Sequence, residues 1–244
     1  MRIDSHQHFT DEYSPELLFP ILKRNRFEGT VLVEESPRSL TVAAQFEFVR
    51  AVVVPMDLCA PDLAHTLDEL QKHPKFRGVW YAFEGDALPP ALDELARRDL
   101  SLDMPPRPEL VPAIAGRFPG LRLVLDHVGR PSLMTQPFDE WSRDLETAAQ
   151  HPLLCAKLSG LITDAPTRWQ AGEFRPVVAQ ALRTLGPDRL MFGSDWPTYL
   201  PEGTWKEALA AFTQSIGALP TEMREQLLGG TAARFYRIDT GAAA

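Results

Sequence analysis

Short apolar runs alternate with amphipathic stretches along the whole chain. The runs that read as strands are Arg2–His8, Gly29–Glu34, Phe48–Met56, Arg77–Phe83, Leu100–Met104, Leu121–Asp126, Leu154–Leu158 and Arg189–Gly193. Between them a helical period predicts helices over Pro15–Arg26, Ser39–Phe46, Ala60–Lys72, Pro89–Arg97, Pro108–Phe118, Pro137–Gln150 and Glu173–Leu185. Two more, Thr204–Ile216 and Thr221–Phe235, follow the eighth strand. Prolines fall at the first turns of many of these helices, where the missing N–H costs nothing. The second strand carries Thr30, Val31 and Val33, and the third carries Val49 and the run Val52–Val54. Near-continuous β-branched runs of this kind suit a parallel sheet covered on both faces. Eight strand–helix alternations without a linker predict an α/β fold, a (β/α)8 TIM barrel spanning 1–244 as one domain. A doubly wound open sheet is the rival architecture, but no Gly-rich phosphate loop follows the first strand.

Composition narrows the function classes. The 244 residues are 44% hydrophobic and 24% charged, with a net charge of −8 and no basic run. Phosphate binding wants clustered Lys and Arg, so nucleic acid is not an expected partner. No apolar run approaches the ~20 residues that cross a bilayer, and the first residues lack a basic and apolar leader pattern. A membrane is therefore not an expected partner, and a cytoplasmic location is expected. Cys59 and Cys155 make neither a disulfide framework nor a zinc ribbon, and both read as buried free thiols. No signature of an oligomeric state is present.

The candidate chemistry begins in the first strand. Asp4, His6 and His8 stand at i, i+2 and i+4, a spacing that puts all three on one face of a strand. Two imidazoles and a carboxylate on one face build a poor core, but can hold a metal ion or polarise a substrate. In a (β/α)8 barrel the active site lies at the C-terminal ends of the strands. Strand six ends in Asp126-His127, strand seven in Lys157-Leu158-Ser159, and strand eight in Ser194-Asp195-Trp196. An isolated Asp195 would be explained by capping or turn chemistry. Four strands ending in such groups are not.

The segments Asp4-Ser5-His6-Gln7-His8-Phe9, Leu125-Asp126-His127-Val128-Gly129-Arg130-Pro131, Lys157-Leu158-Ser159-Gly160-Leu161 and Met191-Phe192-Gly193-Ser194-Asp195-Trp196-Pro197 carry a family resemblance. A weaker match closes the chain at 229–236. Together they resemble the amidohydrolase superfamily, in the branch of sugar lactonases and 2-pyrone-4,6-dicarboxylate lactonase. The resemblance implies metal ligands on strand one and strand eight, here His6, His8 and Asp195. Binuclear members add a Lys or Glu on strand four and His on strands five and six. Strand four here has no Lys and strand five no His, so a binuclear centre is not expected. One divalent ion, with zinc as the first choice and Asp103 or His127 near it, and a centre that needs no metal both remain open.

The implied substrate is a small molecule, and the implied reaction is hydrolysis of a lactone. Asp195 is the expected general base, while His6, His8 and His127 polarise the carbonyl or stabilise its oxyanion. His127 is the alternative proton donor to the leaving oxygen. Expected substrate contacts are Arg130 and Lys157, with Arg107 and Arg168 as weaker versions of Arg130. Lys157 could instead pair with an acid such as Asp126. Trp196 and Tyr199 could form an apolar wall, or simply pack against a loop. Trp80 and Tyr81 stand where similar sugar lactonases carry an Arg-His pair, which implies a flatter, more aromatic pocket. One of Glu34 and Glu35 could face the site, whereas His65, His73 and His151 are expected outside it. The competing functions are a metal-dependent decarboxylase of the same superfamily and a barrel that binds a small molecule without catalysis.

Overall fold

The computed structural model describes residues 1–33, 38–129, 138–163, 165 and 169–239. Among them eight strands run in parallel: β1 (Ile3–Gln7), β2 (Gly29–Val33), β3 (Val49–Pro55), β4 (Phe76–Trp80), β5 (Ser101–Met104), β6 (Arg122–Leu125), β7 (Leu154–Leu158) and β8 (Leu190–Phe192). The helices between and after them are α1 (Pro15–Arg24), α2 (Arg38–Gln45), α3 (Leu63–Gln71), α4 (Leu92–Arg97), α5 (Val111–Arg117), α6 (Phe138–Ala148), α7 (Ala171–Leu185), α8 (Trp205–Ser215), α9 (Thr221–Glu225) and α10 (Thr231–Phe235). The sheet order follows the sequence from β1 to β8. Just beyond β8 the chain pairs with β1, Gln7 bridging to Trp196. Asp195 N–H donates to the His6 carbonyl at 2.8 Å, and His8 N–H to the Trp196 carbonyl at 2.8 Å. The expected (β/α)8 barrel is the observed fold, and the bonds that close it set Asp195 beside the β1 histidines.

Strand alternation divides the apolar residues between two layers. Val31, Val33, Ala51, Val53, Val124, Cys155 and Met191 pack together in the barrel interior. Leu32, Val52, Val54, Leu123, Leu125, Leu158 and Phe192 pack in the larger layer beneath the surrounding helices. The interior also contains Ala232, Ala233, Phe235 and Tyr236, so α10 plugs the barrel. The plug enters at the N-terminal ends of the strands, where Arg77 and Arg122 donate to the carbonyls of Tyr236 and Phe235.

One continuous helix over Thr221–Phe235 is not what forms. The segment splits into α9 and α10 around Gln226–Gly230. A Cβ on Gly229 would lie 2.5 Å from both Met1 O and Ile3 N, so the chain touches the start of β1 there and only glycine fits. Cys59 also differs from expectation: it is exposed, because it lies in the loop after β3, whereas Cys155 on β7 is buried. Among the described residues no helix is long and apolar enough to cross a membrane.

Candidate active site

The groups at the C-terminal ends of β1, β6, β7 and β8 meet at one mouth of the barrel. The His6 ring is 5.0 Å from that of His8 and 4.8 Å from that of His127, centroid to centroid. Asp195 Oδ1 lies 3.6 Å from Nε2 of both His6 and His8. Its second oxygen accepts from Thr163 Oγ1 at 2.6 Å. Burial opposes the charge on Asp195, but its contact with His8 and the nearness of His127 and His6 outweigh this and hold the carboxyl at about 2. Asp195 is therefore an ionised acceptor at neutral pH.

Local backbone geometry aims these groups. β1 shifts register between Asp4 and Gln7, a bulge that breaks strict alternation. The one-face expectation for Asp4, His6 and His8 fails for this reason. Asp4 instead accepts from Ser194 N–H at 2.7 Å and from the Trp205 indole of α8 at 3.1 Å. Burial, partly offset by these bonds, pushes its carboxyl up to about 6. Asp4 thus ties β1 to β8 and α8. His127 follows the end of β6 with φ 51°, Val128 has φ 53°, and Asp195 has φ 67°. Left-handed conformations cost about 1–3 kcal/mol each for such residues and collect at functional sites. The turn takes His127 out of the strand alternation, so it does not share a face with Leu123 and Leu125.

Beneath His6 lies a polar network inside the barrel. Lys157 has no exposed surface. Its Nζ is 2.7 Å from Asp103 Oδ2, 3.0 Å from Asp126 Oδ1 and 3.1 Å from His6 Nδ1. Tyr236 OH donates to Asp103 at 2.6 Å, Ser101 Oγ to Asp103 at 3.0 Å, and the Trp80 indole to Asp126 at 3.0 Å. Burial works against ionising Asp126, but the Lys157 ammonium keeps it below the usual carboxylate range. Burial likewise opposes the charge on Lys157, and Asp103 and Asp126 reverse that effect. Burial, reinforced by Lys157, lowers His6 to about 3, so its imidazole is neutral. The neutral His6 ring has Nδ1 3.1 Å from the Lys157 ammonium and 3.5 Å from Asp126 Oδ1, and turns Nε2 toward Asp195.

The donor set fits a divalent cation. His6, His127 and Asp195 each offer a ligand atom within 4.8 Å of the others. The tightest trio thus has His127 where His8 was expected. His8 lies past the end of β1, its Nδ1 tied to the Val33 carbonyl at 2.5 Å and its Nε2 facing Asp195. Asp103 and Asp126 share one ammonium and Asp195 faces His6 and His8, so three carboxyl groups stand around a single Lys. A divalent ion would balance that excess of acid.

The expected substrate contacts separate. Lys157 pairs with Asp126, the alternative raised from sequence, and its ammonium has no surface open to a bound molecule. Trp196 is buried against Phe9 and Tyr13, with ring centroids 6.1 and 5.7 Å away, and Tyr199 is fully buried. Neither ring forms an open wall. Tyr81 is half-buried and, with Trp80, lines a cavity of about 560 Å³ between the loops after β3 and β4. Arg107 is spent on Asp86, Glu109 and the Gly85 carbonyl. Arg130, Arg168, Glu34 and Glu35 lie outside the described residues. His151, expected outside the site, is buried elsewhere, bonded to the Leu121 carbonyl at 2.9 Å. Tyr236 and Thr163 were not foreseen as site residues. Ser159 Oγ lies 3.0 Å from His127 Nδ1, and its only sequence signal was its place at the end of β7.

The sequence pattern of the amidohydrolase family matches residues 41–238. The chain belongs to the amidohydrolase family. An L-fucono-1,5-lactonase from Burkholderia ambifaria is 31% identical, the match covering 98% of this chain and 96% of that protein. An amidohydrolase from Burkholderia multivorans, solved with bound zinc, superposes with a TM-score of 0.85 at 29% identity, covering 98% of this chain and all of that one. A Pseudomonas putida protein named as a 2-pyrone-4,6-dicarboxylic acid hydrolase shares the fold, with a TM-score of 0.80 at 20% identity over 97% of each chain.

Proposed function

We propose that this amidohydrolase is a lactonase that opens a small cyclic ester, of the sugar-acid or of the pyrone or muconolactone type. The observation that carries the reading is the ionised Asp195 carboxylate facing His6 and His8 at 3.6 Å, at the barrel mouth. The name of the Burkholderia ambifaria relative supports the same reaction. In this reading Asp195 takes a proton from a water whose oxygen attacks the lactone carbonyl. The tetrahedral oxyanion that forms is stabilised from the histidine side of the site. As it collapses, the ring C–O bond breaks and the departing oxygen takes up the proton that Asp195 removed from the water. The product is an open hydroxy acid.

His6, His127 and Asp195, with His8 beside them, would hold one divalent ion, for which zinc is the assignment. When bound, such an ion supplies Lewis-acid polarisation of an oxygen. The zinc bound by the Burkholderia multivorans relative supports that choice. Tyr81 is assigned to substrate contact beside Trp80, whose indole reaches the polar network through Asp126. Lys157 acts beneath His6 rather than on the substrate. Both cysteines are free thiols, which accords with a cytoplasmic location.

The test is hydrolysis of a panel of aldonolactones, aldarolactones, pyrones and muconolactones, followed by acid release, with metal content measured on the same sample. Turnover of one class well above the others supports the reading. A folded, zinc-loaded protein that opens none of them refutes it.

A further inference from the structure

Lys157 is a costly side chain where it stands. It has no exposed surface, and taking an ammonium out of water costs several kcal/mol unless its partners are well set. The partners here are unusually well set. Asp103 Oδ2, Asp126 Oδ1 and His6 Nδ1 surround Nζ at 2.7, 3.0 and 3.1 Å. Each carboxylate is itself aimed by donors from other strands: Asp103 by Tyr236 and Ser101, Asp126 by Trp80. Two carboxylate oxygens converging on one point are also donors that a divalent ion takes. His6 touches both positions, Nδ1 facing Lys157 and Nε2 facing Asp195.

The geometry points to Lys157 as a tethered cation: its ammonium fills a second, deeper cation position formed by Asp103 and Asp126 beneath His6. The barrel is thereby limited to one exchangeable ion at the mouth, and Asp126 and His6 are held in place whether or not that ion is present. The inference rests on reading His6 and Asp195 as the edge of the outer cation position. Lys157 is in this sense a positioning residue, acting on the reaction through His6.

Truncating the side chain should open the deeper position to an ion. Wild type, Lys157→Ala, Lys157→Met and the double variant Lys157→Ala/Asp103→Asn would be stripped with a chelator, reloaded with zinc and desalted. Bound zinc per chain would then be counted by elemental analysis, with circular dichroism recording the fold. The expectation is that Lys157→Ala binds one zinc more than wild type and the double variant loses that gain. Lys157→Met, which fills the space with an apolar chain, should match wild type. A folded Lys157→Ala with no added zinc overturns the proposal, as does an equal gain in Lys157→Met. Failure of Lys157→Ala to fold even when refolded with zinc also counts against it, because the ion should replace the ammonium. Two tight zinc ions in wild type overturn it without any variant. Wild type that binds no zinc would defeat the reading of the outer centre, while the difference between Lys157→Ala and wild type would still decide the inner one.

Discussion

Gly193 tests whether the site depends on close packing between β1 and β8. The residue follows β8, and its N–H donates to the Leu158 carbonyl at 3.3 Å. A Cβ built there would lie 2.7 Å from His6 Cβ, 2.9 Å from Ser159 Cβ and 3.2 Å from His6 N. Ordinary contact begins at 3.4 Å, so in Gly193→Ala the His6 Cβ must retreat by about 0.7 Å. The atoms in the way belong to backbone and Cβ, not to the far ends of flexible side chains. Overpacking of this kind costs about 1–3 kcal/mol, which for a chain of this size lowers Tm by about 2–12 °C. Because His6 itself moves, the reactive geometry suffers more than the fold, and a displacement near 1 Å costs about 100-fold in rate. Thermal denaturation and lactone kcat/KM, measured on the same preparations, separate the two effects. Gly116→Ala is the control, since a Cβ on this α5 residue meets nothing within 4 Å. It should match wild type or be slightly more stable. Gly193→Ala with wild-type Tm and wild-type kcat/KM would refute the packing argument.

Burial pushes the Cys155 thiol up to about 12, whereas Cys59 is exposed. A thiol reagent at neutral pH should therefore label one cysteine per native chain and two after denaturation, and rapid labelling of both in the native protein would contradict the fold. Tyr236→Phe removes the 2.6 Å bond to Asp103 from the α10 plug and should lower stability by about 1.5–3 kcal/mol. An unchanged denaturation midpoint would show that the bond contributes nothing.

The barrel was legible because its period is regular. Eight apolar runs matched eight strands within a few residues at their ends, and His6, His8, His127 and Asp195 followed from where those strands stop. What escaped the sequence is what departs from the period. The β1 bulge turns Asp4 away from the histidines, and no residue type announces it. The contact of Gly229 with Met1 and Ile3 breaks a helix whose apolar spacing is otherwise continuous. Lys157 looked like a mouth residue because strands end in functional groups, yet it sits in a strand buried along its whole length. Its partners Asp103 and Asp126 were visible as acids in apolar strands, and Tyr236 was hidden because it reaches the site from the opposite end of the barrel. Trp196 and Tyr199 have the composition of a ring-binding wall, and only packing shows that Phe9 and Tyr13 already cover Trp196 and that Tyr199 is buried.

The central claim is that the Asp195 carboxylate activates the water that opens a lactone. Asp195→Asn keeps the size of the side chain and removes its ability to take a proton at neutral pH. General-base assistance contributes about 10²–10⁴-fold, so kcat on the preferred lactone should fall by at least that order. The measurement is kcat and KM for wild type and Asp195→Asn at saturating zinc, with zinc content determined for both proteins. The account predicts the loss in kcat with much less change in substrate affinity at equal zinc content. Turnover within a few-fold of wild type would contradict it.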